Sequence, residues 1–178
     1  KHYANRPYSN DSATVTGMLN IHCRSYMRLL TPFYRLLGSI PAVNARQVPV
    51  TVRFNSAADS AAFHFNRSFY FTGSKTYQFN SRMLQTQGGE VIEIMRFGIC
   101  WRTHFHWDGS KVILSHRGYA LNIFNRFINL PITALVGRGD ATETPVDDDH
   151  FDMEVTMKHP LLGVVYSYAG RFKVTKSV

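Results

Sequence analysis

The spacing of apolar residues changes character several times along the chain. Residues 1–16 are polar, rich in Asn, Ser and Thr with Pro7, and read as a tail ahead of a single domain over 17–178. From Met18, Leu19, Cys23, Tyr26, Leu30, Phe33 and Leu37 recur at steps of three and four, with Arg24, Arg28 and Arg35 off that stripe. This predicts a helix, kinked or divided at Thr31-Pro32 and closed by Gly38. After a linker at 39–47, period-two segments follow at 48–54, 62–71, 76–86, 90–97 and 99–107. Gly88-Gly89 and Asp108-Gly109 are hairpin signals, the second leading into a strand at 111–116. Between Tyr119 and Val136, Leu121, Phe124, Ile128 and Ile132 return to helical steps, with Ile123 and Phe127 on a neighbouring phase. Three further strands, at 140–145, 150–157 and 164–174, complete the chain.

The predicted fold is therefore α+β and mainly antiparallel. It is a strongly curved sheet or partly closed β-barrel of about eight or nine strands, with an N-terminal helix and one helix before the last strands. Hydrophobic residues make up 44% of the 178 positions and aromatics 13%, enough to fill a core. Charge is uneven along the net +8: residues 1–139 hold 16 Lys/Arg against 5 Asp/Glu, and residues 140–178 hold 4 against 7. The 14 arginines are scattered, which argues against a nucleic-acid partner. The basic, apolar N-terminal helix raises peripheral membrane contact as a minority reading beside plain core packing. Cys23 and Cys100 fit no zinc or redox spacing and suit a cytoplasmic chain with two buried thiols.

Candidate chemistry centres on Ile99–Trp107. In a strand, Ile99, Trp101, Thr103, Phe105 and Trp107 share one face, and Arg102, His104, His106 and Asp108 the other. The second face is either a site or the wet side of a sheet. Gly98 followed by His104-x-His106 partly imitates a cupin metal motif, but Ser110 and Lys111 stand where its carboxylate belongs. A third ligand would have to come from His64, Glu93, Glu143 or His150, so no metal and no cofactor is the expectation. If the sheet encloses a cavity, Arg96, Arg102, His104, His106 and Arg67 are the expected polar anchors, and Phe65, Phe69, Tyr77, Phe79, Phe124 and Phe127 its apolar wall. Catalysis, if present, would fall to His104, His106 and Glu143. No G-x-S-x-G elbow, phosphate loop or dinucleotide fingerprint occurs, and Asp147–Asp149 reads as a solvated turn.

The run Gly137-Arg138-Gly139-Asp140-Ala141-Thr142-Glu143-Thr144-Pro145, then Asp147-Asp148, Phe151, Met153, Val155, His159-Pro160-Leu161-Leu162-Gly163, Tyr166, Tyr168 and Gly170, resembles the DUF4166 family of bacterial domains of unknown function. Arg35–Gly38, Ile40-Pro41, Val48-Pro49-Val50, Phe65, Arg67 and Phe69 resemble its front half. Members stand alone or follow a saccharopine-dehydrogenase-like module, so the resemblance implies an accessory role to an NAD(P)-dependent oxidoreductase, in cis or in trans. It supplies no catalytic residues. Three readings stay open: a binding module for a hydrophobic or amphipathic small molecule, a His-based isomerase or hydrolase, and a filled structural or interaction domain.

Overall fold

A computed structural model describes residues 7–29, 31–36 and 39–177, with the side chains of Phe33, Lys176 and Ser177 outside that description. Eleven strands form in order: β1 (Ser12–Cys23), β2 (Ala45–Ala57), β3 (Ser60–Phe69), β4 (Tyr77–Gln85), β5 (Glu90–Ile94), β6 (Ile99–Trp107), β7 (Val112–Ile123), β8 (Arg126–Leu130), β9 (Arg138–Pro145), β10 (His150–His159) and β11 (Gly163–Ser177). Short helices α1 (Ser25–Leu29) and α2 (Thr31–Leu36) join β1 to β2, and α3 (Thr133–Val136) precedes β9. Every neighbouring pair is antiparallel. The sheet runs β6-β5-β4-β3-β2-β1-β11-β10-β9-β7-β8, and β6 also pairs with β7. That pairing closes ten strands into a barrel and leaves β8 outside.

Alternation along each strand decides what faces inward. On β1, Ala13, Val15, Leu19, Ile21 and Cys23 are buried, while Asn20 and His22 are exposed. On β3 the inward set is Phe63, Phe65, Arg67 and Phe69, against exposed His64. The outer wall is largely polar, the reverse of a lipid-facing barrel. Among the described residues no helix is long and apolar enough to cross a membrane.

Two expected helices are corrected. The segment from Met18 to Cys23 is the second half of β1, and helix begins only at Ser25. Residues 12–16, expected in the polar tail, are its first half. Leu30, Leu37 and Gly38, which completed the predicted helical stripe and its cap, lie outside the described residues. Between Tyr119 and Val136, β7 continues to Ile123, turns back through β8, and leaves only α3 helical. The wide apolar arc there comes from a strand covered on both faces. Ala120, on the outer side, is fully buried with Ile92, Ile94 and Cys100, and Phe127 of β8 packs against them.

The barrel has one weak seam. β7 pairs with β9 only over Val112–Leu114. Its register against β6 then slips between Arg102 and Thr103, where Gly118 has φ 144°. Beyond that bulge β7 pairs with β8, and α3 packs against β10.

Candidate functional site

The barrel encloses a cavity of about 640 Å³. Its wall is built from alternate residues of neighbouring strands: Phe63, Phe65 and Phe79 from β3 and β4, Trp101 and Phe105 from β6, and Met153, Val155 and Met157 from β10. Tyr34, Ile132 and Val136 close the end carrying the helices. Trp107 stands half-exposed toward the opposite end. Tyr34 is held by its hydroxyl donating to Met27 Sδ at 3.4 Å, and burial pushes its phenol up to about 12.

A polar island interrupts this apolar wall. Arg67 is 8% exposed and Glu93 5%. Arg67 Nη2 lies 2.9 Å from Glu93 Oε1, and Arg67 Nη1 donates to Ser81 Oγ at 2.8 Å. Ser81 Oγ in turn donates to the same Glu93 Oε1 at 2.6 Å. The guanidinium also sits over the Phe79 ring at 4.5 Å and the Phe65 ring at 5.1 Å. Both contacts to Glu93 converge on one oxygen, Oε1. Tyr168 on β11 and Glu143 on β9 also line the cavity. Burial raises the Tyr168 phenol strongly, with Arg67 opposing and Glu93 and Glu143 adding to the rise, so all four groups share one electrostatic neighbourhood.

The seam holds a second buried polar group, His116. Trp101 Nε1 donates to His116 Nδ1 at 3.2 Å, so Nδ1 carries no proton and Nε2 does. Nε2 donates to Thr133 Oγ1 at 3.2 Å, and the backbone N–H of His116 donates to Asp140 Oδ1 at 2.9 Å. Tyr119 adds a hydroxyl bond to the Gly137 carbonyl at 3.0 Å. These bonds tie β6, β7, α3 and β9 together where the ladder is missing.

The residues singled out in the sequence are distributed as follows. Arg67, Phe65, Phe79 and Glu143 line the cavity. Phe69 and Tyr77 are packed together near the helical end at 6.1 Å, the Tyr77 hydroxyl donating to the Ser39 carbonyl, and neither lines the cavity. Phe127 lies outside the barrel, and Phe124 is 96% exposed at the β7–β8 turn. The expected inward placement of Arg96, Arg102, His104 and His106 is corrected. Ile99, Trp101, Phe105 and Trp107 take the inner face of β6, which puts Arg102, His104 and His106 on the outer one. The reason is steric and hydrophobic: a strand offers one face to the interior, and the indole and phenyl rings occupy it. Arg102 Nε donates to Glu90 Oε1 at 2.8 Å and Arg102 Nη1 to Asn129 Oδ1 at 2.7 Å. Arg96 is exposed at the β5–β6 turn. His150 pairs with Asp147 in the β9–β10 turn, and His64 is exposed. Among the described residues no three His, Cys, Asp or Glu are grouped to hold a metal ion.

Glu93 entered the sequence reading only as a third metal ligand, and Ser81, Tyr168 and His116 did not enter it as site residues. Their signal was phase: Glu93 shares the inward phase of Val91 on β5 and of Met95 just beyond it, against Ile92 and Ile94 on the outer face.

Among solved structures, the fold is similar to that of Rv2717c from M. tuberculosis, at 10% identity and TM-score 0.46 over 94% of this chain and 92% of that one. A structure from work on substrate modification by dehydratases of type I polyketide synthases aligns at 6% identity and TM-score 0.23, over 96% of this chain and 78% of that one. No curated protein matches the sequence. The family model for a domain of unknown function, DUF4166, matches residues 1–172, and the chain belongs to that family.

Proposed function

We propose that this domain binds a small apolar molecule carrying one hydrogen-bond-donating group, held inside the barrel. The cavity carries this reading. Its volume of about 640 Å³ falls in the range of roughly 300–1,000 Å³ that takes a drug-sized ligand. A domain built only to fold would be expected to fill such a space, because interiors pack at crystal density and large voids cost stability.

The polarity of the wall narrows the ligand. Arg67 and Glu93 compensate each other, so a ligand carboxylate finds no spare cation there. Arg67 and Ser81 both engage Glu93 Oε1, which leaves Oε2 to accept from a ligand, in the neighbourhood of the Tyr168 hydroxyl. A hydroxyl or secondary amine on an otherwise apolar body satisfies it. A ligand of ~20 heavy atoms at ~0.3 kcal/mol per atom would bind at about −6 kcal/mol, a Kd of tens of micromolar.

The neutral fluorophore N-phenyl-1-naphthylamine, apolar with one N–H, tests this directly. We expect saturable one-to-one binding with enhanced emission. Ala141→Phe and Met153→Trp both project bulk into the cavity and should abolish it. Absence of saturable binding to the folded protein, or unchanged binding by both folded variants, overturns the proposal.

A further inference from the structure

The two ends of the barrel differ sharply in composition. Strands β1, β3, β5, β7 and β10 all run toward the end that carries the helices. The connections there span residues 24–44, 70–76, 95–98, 124–137 and 158–162, and they contain no Asp or Glu. They do contain Arg24, Arg28, Arg35, Lys75, Arg96, Arg126 at the start of β8 and Lys158 near the end of β10, all exposed. The turns at the opposite end carry Asp59, Asp108 and the run Asp147–Asp149 against the single cation Lys111.

Large apolar side chains project from the same basic end. Leu161 is 88% exposed, Leu29 81%, Leu135 69% and Phe97 64%, with Leu36 and Leu162 beside them in the same connections. They come from five different elements, yet cross-contacts make these one surface. Arg96 Nη1 donates to the Leu36 carbonyl at 3.4 Å while its guanidinium lies 5.7 Å from the Phe97 ring, linking α2 to the β5–β6 turn. The Tyr26 ring meets His159 edge-on at 6.5 Å, linking α1 to the β10–β11 turn. At the end of α3, Gly137 lies against Lys158, whose carbonyl would be 2.9 Å from an added Cβ.

From this juxtaposition we infer that the helical end of the barrel docks on an anionic phospholipid surface. Exposed leucines and a phenylalanine ringed by cations, with no acid in the segments that carry them, match a bilayer interface: apolar side chains enter the acyl boundary and arginines meet the headgroup phosphates. The charge separation also orients the molecule, because the acidic turns are repelled by the same surface. This inference rests on the exterior and is independent of what the cavity holds.

Flotation with vesicles tests it. We expect the protein to partition onto vesicles rich in phosphatidylglycerol and not onto pure phosphatidylcholine, with binding weakened by salt. Arg28→Glu with Arg35→Glu should weaken partition at least about tenfold, given the share each cation contributes near an anionic surface. Leu29→Asp with Leu161→Asp should abolish it; these exposed positions leave the core untouched. Asp148→Lys at the far end should leave vesicle binding intact. The inference falls if the folded protein ignores anionic vesicles, if both basic-end variants bind like the parent, or if it binds duplex DNA and not vesicles.

Discussion

Arg67 carries a charge into a wall of phenyl rings, and its partners decide whether that placement is tolerable. Glu93 cancels the charge and Ser81 fills a donor, while Phe65 and Phe79 offer ring faces. Removing one ion of a buried pair strands the other, so Glu93→Ala should destabilise by about 3–5 kcal/mol in urea denaturation. Replacing both ions by apolar residues, Arg67→Met with Glu93→Leu, should recover most of that loss. If Glu93→Ala costs no more than an exposed pair, under ~1 kcal/mol, the island is wetter than its burial indicates. Arg67 was legible as an inward cation because it continues the phase of Phe63 and Phe65 on β3. The histidines of β6 were legible only as one of two faces. Alternation states which residues travel together, and the packing of the neighbouring strands chooses the side. Ser81 reaches Glu93 from the neighbouring hairpin strand β4, whereas Tyr168, on a strand distant in sequence, joins them only through barrel closure.

At the scale of elements, the seam between β7 and β9 is where side chains replace backbone bonds. His116 serves there as a neutral ring, accepting from Trp101 and donating to Thr133. Its pKa is lowered from the ordinary 6.5, first by burial and then by Arg138, with Asp140 opposing. The unfolded chain therefore binds a proton at higher pH than the folded one. Stability is unaffected above the unfolded value, and falls as pH drops below about 6.5 toward the depressed folded value. A doubly protonated ring also loses the Trp101 bond. We expect the urea midpoint to fall between pH 7.5 and 5, accompanied by a change in indole fluorescence, and the pH dependence to flatten in His116→Gln. An equal slope in that variant would assign it to other groups. The strands bounded by Gly88-Gly89 and Asp108-Gly109 were readable because turn chemistry marks their ends. Two others were disguised. On β1 the inward phase passes through Gly17, the outward phase includes Met18, and the strand runs straight into α1, so Leu19, Cys23 and Tyr26 mimic a helical stripe. In β7 and β8, apolar residues on both faces erase period two.

Over the whole molecule, no local signal announces closure. β1 pairs with β11 from Ala13 opposite Ser177 to Cys23 opposite Tyr166, so the first strand waits for the last. The two approach so closely that a Cβ at Gly170 would strike the Met18 carbonyl, and one at Gly17 would meet the Phe172 ring at 2.8 Å. β11 also supplies Tyr166, Tyr168 and Phe172 to the core. A chain stopped at residue 162 would leave β1 and β10 as open edges beside an unfilled interior, and it should not fold, as read by dispersion in NMR spectra. The same closure tolerates a different cut. Since the start of β1 lies beside the end of β11, a flexible linker can join residue 178 to residue 1 while the chain is opened at Gly109, in the exposed β6–β7 turn. Every barrel strand of that permutant keeps both neighbours, and the helical end with its basic connections is untouched. It should therefore fold, though slowly, because its pairings remain distant in sequence. If the truncated chain folds and the permutant does not, cohesion lies in the β1–β10 segment and not in the closed circle of strands.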